Sequence, residues 1–327
     1  MQRRHFSFAL AASTLPVGLT LNTAAKAQTW PEKPVRWVLS QPAGSGPDNV
    51  ARLLTDRLTK SWGQAVLVDN KPGGQNTIGA QAAARSAPDG HNFYFATTAA
   101  LVTNAFLFKQ LPYDPQKDFV PVAFVARSPF AVLVDANSPL RTLADLVQRA
   151  RAKPGDVKVA TEGPRTFGGM VCRLLAARLK LDLNMASYAS VGVATQDTLG
   201  GHVDLLVADL ASTAALVRQG RLRLLAVTTA QRVPGFESTP TVADTVPGFD
   251  MAGWFTLVAP AGTPEAVLQR VNRDLNVALA DRDIVERIAG IGPIAAGGMT
   301  LAQVDAWLKS EHRRWADITR EIGVLPE

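Results

Sequence analysis

The sequence predicts an α/β protein of two domains, and three observations carry that prediction. From residue 35 onward, short β-branched runs alternate with amphipathic helical segments, the pattern of parallel sheets with crossover helices. The chain has 327 residues, about twice the common domain length. Near residues 122–134 the alternation breaks, two strand-like runs follow one another, and a second alternating set begins.

The elements follow in order. Val35 to Leu39 reads as a strand, Ser40 to Gly46 as a loop, and Pro47 as a first-turn proline before a helix with Val50, Leu53, Leu54 and Leu58 on one face. Val66 to Val68 is a strand, Lys71 to Gly79 a Gly-rich loop, Ala80 to Arg85 a helix and Asn92 to Ala96 a strand. Val122 to Arg127 and Ala131 to Val134 are strands separated by a Ser-Pro break, taken as a crossing between domains. The second set comprises helices over residues 143–152, 168–180, 193–199 and 212–218, and strands over 157–161, 183–188, 203–207 and 222–228. Trp254 to Val258 returns the chain to the first domain. Thr263-Pro264 is expected to start a helix as cap and first-turn proline. Thr300 and Gln303 form a capping box for a last helix carrying Val304, Trp307, Leu308, Trp315, Ile318 and Ile322 on one face and stopping at Gly323.

Composition excludes several classes. At 47% hydrophobic and 19% charged the chain is an ordinary globular protein. Its one cysteine, Cys172, excludes an intramolecular disulfide and a cysteine-built metal cage, and sits on an apolar helix face as a core residue. The net charge of +6 falls to +3 once residues 1–27 are set aside. The remaining basic clusters, such as Arg149, Arg151 and Lys153, stand beside acids on helices, so a solvated face explains them and no nucleic-acid partner is expected.

Met1 to Arg4 is a basic start, Phe6 to Leu21 an apolar run and Ala25-Lys26-Ala27 an A-x-A site, the three parts of a cleaved signal peptide over residues 1–27. Arg3-Arg4-His5-Phe6 fits both a twin-arginine signal and a generic basic start. Export follows, and the mature chain would start near Gln28. No later stretch offers 18 uninterrupted apolar residues for a membrane span.

Catalytic motifs fail one by one. Asn49 stands where a dinucleotide loop beginning Gly44-Ser45-Gly46 needs its third glycine, and Ala80-Gln81 stands where a phosphate loop needs Lys and Ser or Thr. There is no G-x-S-x-G elbow and no H-E-x-x-H, and the histidines are scattered. No enzyme, metal or cofactor is expected. What remains are four polar, Gly-rich strand-to-helix loops: Pro42 to Asp48, Thr97 to Ala99, Gly163 to Gly169 and Tyr188 to Val193. Helix N-termini at such junctions present unpaired N–H groups to anions.

The same residues resemble the Bug family of periplasmic solute-binding proteins, related to the tripartite tricarboxylate transporters. The likeness rests on Pro42 to Arg52, Asp69-Asn70-Lys71-Pro72-Gly73 with Ile78-Gly79-Ala80, Ala87-Pro88-Asp89-Gly90, and Asp118 to Val122. Leu199 to Leu205, Leu225 to Thr228, Pro240 to Ala243, Trp254-Phe255 and Ala259 to Pro264 extend it over nearly the whole mature chain. It implies a two-lobed Venus-flytrap fold, each lobe a mixed sheet flanked by helices, with lobe 1 at residues 28–128 plus 253–327 and lobe 2 at 129–252.

The implied ligand is a small carboxylate (a di- or tricarboxylate, an amino acid or an aromatic acid) held by backbone N–H groups and hydroxyls. The implied partners are the membrane subunits of a tripartite transporter; the alternative readings are an exported ligand-sensing module that reports to a sensor kinase and a secreted hydrolase, and the protein is expected to be monomeric. The expected ligand-binding residues are Gly44, Ser45, Gly46 and Asp48, then Thr97 and Thr98 in lobe 1. Lobe 2 is expected to add Arg165, Thr166, Phe167, Tyr188 and Asp209. This chain departs from the family pattern at Arg165 (commonly Gly), Gly169 (commonly His), Ser190 (commonly Gly) and Ala208-Asp209 (commonly Asp-Asn). Arg165 in the cleft would bind a second carboxylate through paired hydrogen bonds, and Asp209 would repel one or bind an ammonium. Together they point to an acidic amino acid.

Overall fold

Two sheets share one long strand. The computed structural model describes residues 30–327, so the signal peptide expected over residues 1–27 lies outside the described residues. The first sheet begins with β1 (Val35–Leu39), α1 (Gly46–Trp62), β2 (Val66–Asn70), α2 (Thr77–Ala84) and β3 (Asn92–Thr97). A wide helical turn over Ala99–Thr103 leads into the short α3 (Asn104–Leu107), and then β4 runs unbroken from Phe119–Asp135. The second set is α4 (Leu143–Ala152), β5 (Lys158–Thr161), α5 (Phe167–Leu179), β6 (Asn184–Ser187), α6 (Val191–Leu199), β7 (Leu205–Asp209), α7 (Leu210–Arg218) and β8 (Leu222–Val227). The chain returns as β9 (Ala252–Pro260), α8 (Glu265–Ala280), α9 (Arg282–Ile291), β10 (Ile294–Ala295) and α10 (Leu301–Glu321).

The strand order is β2-β1-β3-β9-β4-β7-β5-β6, with β8 and β10 also pairing with β4. β1 is parallel to β2 and β3, and β5 is parallel to β6 and β7. The crossover helices expected from the alternation therefore connect parallel strands, and β4 and β9 enter antiparallel, giving mixed sheets.

The expected break at Ser128-Pro129 does not exist. β4 pairs with β9 from Phe119 opposite Pro260 to Pro129 opposite Ala252, and its first pair with β7 is Phe130 opposite Asp209. Pro129 thus stands at the last pair of one ladder and one residue before the next, where its missing N–H is tolerated. The cap expected from Thr263 also differs. Its hydroxyl donates back to Pro260 O at 2.8 Å, and Pro264 itself is the N-cap of α8.

Three apolar clusters hold these layers. Trp37, Phe95, Leu54 and Leu58 pack with Leu275 and Ile288, joining α1, α8 and α9 over one face of the first sheet. Leu206, Ala194, Leu210 and Ala214 do the same for α6 and α7 over one face of the second. The third cluster runs continuously over both sheets, from Val38 and Tyr94 through Phe124, Trp254 and Phe130 to Phe167 and Leu175, with Cys172 fully buried in it. Burial pushes the Cys172 thiol up to about 12, so it stays an unreactive core residue.

α10 braces this continuous face. Its capping box is present, with the Thr300 N–H donating to Gln303 at 2.8 Å and the Gln303 N–H to Thr300 at 3.3 Å. Trp307 packs against Phe124 at 4.2 Å and Trp254 at 4.7 Å, while two turns later Trp315 meets Phe167 at 5.4 Å. Arg178 of α5 donates to Glu321 at 2.9 Å. The last turns of α10 thus lie on α5.

Candidate functional site

The parallel strands of both sheets end on one cavity of about 820 Å³. Ser128 and Phe130 of β4 and Gly253 to Phe255 of β9 form its base. One wall is the loop from Ser40 to Pro47 with Thr97, Thr98 and Ala99; the other is Glu162, Arg165 to Phe167, residues 189–192, Thr195, Gln196, Asp209, Ala211 and Ser212. All four loops singled out in the sequence therefore meet, because each follows the carboxyl end of a strand, at the switch points where open α/β sheets bind ligands.

On the first wall, Ser45 caps α1 by accepting from the Asp48 N–H at 3.4 Å. Pro47 has no N–H, so of the first helical turn the Gly46 N–H is left as a donor toward the cavity. Gly44, at φ 81°, makes the tight turn that sets this loop. Thr97 accepts from Gln41 at 3.4 Å, and Thr98 accepts from the Trp254 N–H at 2.9 Å, which leaves both hydroxyl hydrogens to donate. Thr98 is buried, so its orientation is fixed by that bond.

Two expected residues lie outside the lining. Asp48 is fully buried behind the loop, accepting from the Gly44 N–H at 2.8 Å, Arg52 at 2.9 Å and Asn70 at 2.9 Å. Burial works to raise its carboxyl, and these donors together with the Arg52 charge hold it below the ordinary range, so it shapes the loop as a fixed anion. Tyr188 turns away and donates to Asp197 at 2.8 Å.

On the second wall, Thr166 caps α5, accepting from the Gly169 N–H at 3.2 Å and donating to Gly163 O at 2.8 Å. A Cβ on Gly169 would run into Gly163 O and the Pro164 backbone, so the Pro164 turn and the glycine at 169 go together. Phe167 lines the cavity and packs on Phe130 at 4.7 Å. Arg165 also lines it, but its guanidinium donates to Leu107 O at 2.8 Å and Leu325 O at 2.9 Å and pairs with Glu327 at 2.7 Å. Asp209 is the N-cap of α7, accepting from the Ser212 N–H at 2.8 Å and from its hydroxyl. Burial raises the Asp209 carboxyl above the ordinary range, against the pull of the Ser212 donors.

Sequence reasoning missed Glu162 and Gln41. Glu162 follows the last residue of β5 and lines the cavity near the start of α6. The surrounding walls exclude enough water, with the Asp209 charge adding to them, to push its carboxyl up to about 7. Its position one residue past a strand end was the available signal. Gln41 lies in the opposite loop, donating to Asn76 at 2.7 Å, and lines the cavity as well. The charged side chains among the described lining residues are Glu162, Asp209 and Arg165.

Two sheets sharing a through-running strand, with a cleft at their strand ends, define a two-lobed periplasmic binding-protein fold. The chain belongs to the family described as the tripartite tricarboxylate transporter family receptor, TctC, whose pattern matches residues 50–324. The Bug resemblance holds. A UPF0065 protein of Bordetella bronchiseptica is 40% identical over 312 residues, 95% of this chain and 92% of its own, and BugT of Bordetella pertussis is 31% identical over 316 residues, 94% and 96%. Among solved structures, an R. palustris protein with adipate superposes with a TM-score of 0.86 at 29% identity, covering 91% of this chain and 100% of that one. MatC from Rhodopseudomonas palustris with bound malate gives 0.79 at 27% identity, covering 88% and 99%. Proteins of this family are periplasmic solute-binding proteins. No helix among the described residues is long and apolar enough to cross a membrane.

The Glu162 carboxyl carries a testable pH signature. Its folded value of about 7 lies above the ordinary 4.5. The fold therefore prefers the neutral acid, and the stability this preference adds is complete below about pH 4.5 and lost as the pH rises through 7. Glu162→Gln, neutral at every pH, should raise Tm above wild type at pH 8, with the gap shrinking by pH 5. A gap that is the same at both values would contradict the raised carboxyl.

Proposed function

We propose that this chain is an exported receptor that closes its two lobes on a small carboxylate and presents it to the membrane subunits of a tripartite transporter. The observation that carries the reading is the cavity itself, built from strand-end loops of both sheets and large enough for a small organic acid. The adipate and malate seen in the two structural relatives support the ligand class. The Ser45 hydroxyl, the Gly46 N–H and the Thr97 and Thr98 hydroxyls are the proposed donors of lobe 1, with Gly44 shaping their loop and Thr166, Phe167 and Asp209 lining the site opposite. Lobe 1 is residues 28–128 with 253–327 and lobe 2 residues 129–252, so closure bends β4 near Ser128 and β9 near Ala252. The protein is proposed to act as a monomer after losing residues 1–27.

Closure has a structural limit. A Cβ on Gly46 would stand 2.6 Å from the Ala211 Cβ across the cleft, so glycine lets the start of α1 approach the start of α7. Adding a saturating carboxylate found by thermal-shift screening should compact the wild type in X-ray scattering, since ligand selects the closed form. Gly46→Ala should bind about tenfold more weakly and compact less. Failure of the wild type to bind any mono-, di- or tricarboxylate would refute the ligand class, and binding without compaction would refute closure.

Export is tested separately by the mass of the periplasmic product. A new N-terminus at Gln28 is expected. An intact Met1 on a cytoplasmic product would overturn it.

A further inference from the structure

The cavity is asymmetric in charge. Its first wall offers neutral donors, the Gly46 N–H and the Thr97 and Thr98 hydroxyls, suited to one carboxylate. Its second wall carries two carboxylates, Glu162 and Asp209, each placed at a helix N-terminus. On that wall Asp209 accepts from the Ser212 N–H of α7, and Glu162 lies by the start of α6, whose N-cap is Ser190, so a ligand anion there would meet the protein's own acids. Arg165, the cation that lines this wall, is turned to Leu107 O, Leu325 O and Glu327.

From this juxtaposition we infer that the receptor takes an amino-carboxylate rather than a dicarboxylate. The carboxylate of the ligand meets the lobe 1 donors and its ammonium meets Glu162 and Asp209. The inference rests on the carboxylate-binding reading above and narrows it. A second ligand carboxylate would face two acids with no uncommitted cation, whereas an ammonium supplies the donors and the charge those acids lack. The raised Glu162 carboxyl agrees with this, since burial and the nearby Asp209 charge both resist its ionisation. Arg165, which the sequence pairs with Asp209 to suggest an acidic amino acid, drops out of the ligand chemistry.

The test uses matched probes that differ only in the end group: succinate against 4-aminobutanoate, and adipate against 6-aminohexanoate, by titration calorimetry at pH 8. In at least one pair the amine member should bind at least tenfold more tightly. Glu162→Gln and Asp209→Asn, which keep shape and the capping acceptor, should each lose about tenfold or more for the amine while the diacid is unchanged or improved. A merely structural role would weaken both members of a pair alike and leave their ratio at the wild-type value. Tighter binding of the diacid in both pairs, or an unchanged ratio in both variants, overturns the inference and leaves the carboxylate reading standing. Binding of none of the four, together with no response to any carboxylate in the wider screen, overturns that reading and the inference with it.

Discussion

Everything in this structure depends on β4 belonging to two sheets at once. Its first part is zipped to β9 and its second to β7 and β8, and the handover falls at Ser128 to Phe130. The carboxyl ends of β1, β3, β5 and β7 therefore point into one space, with the handover as its floor. Loops that are ordinary strand-to-helix turns in each half become opposite walls of a cleft. The continuous apolar layer under α10 acts on the other side. Trp307 and Trp315 couple that helix to β9 and α5, so any bending at β4 has to be accommodated along its length.

The two walls are built from the same elements with different chemistry. α1 leaves the Gly46 N–H open because proline removes one donor of its first turn and Ser45 satisfies another. α7 begins at its cap Asp209 and α6 near Glu162, so acids stand on that wall in place of open helix-end donors. Selectivity in this account resides in the second wall, where the charged lining side chains stand. The Gly163-Pro164 backbone leaves room only for glycine at 169, and the Arg165 guanidinium is held by Leu107 O, Leu325 O and Glu327.

The sequence pattern made much of this legible. Periodicity found β1, α1 and α4, and Thr300 with Gln303 marked the start of α10, because these signals are local. Ser128-Pro129 misled because the tolerance for proline comes from two ladders meeting there, which is a non-local fact. Thr263 misled because a hydroxyl has a choice of partners and took Pro260 O. The loops of the cleft were visible as strand-to-helix junctions, but side-chain direction was not. Asp48, Tyr188 and Arg165 each found a partner within the protein that adjacency in sequence could not rank, and Glu162 was overlooked because it carries no motif.

The most direct test of the account is the crystal structure of the protein with 6-aminohexanoate or 4-aminobutanoate, whichever binds more tightly. The account predicts a ligand in the cleft with its carboxylate oxygens within hydrogen-bond distance of the Gly46 N–H or the Thr97 and Thr98 hydroxyls, and its ammonium against Glu162 and Asp209. A ligand lying the other way round, or a carboxylate held by Arg165, would contradict it.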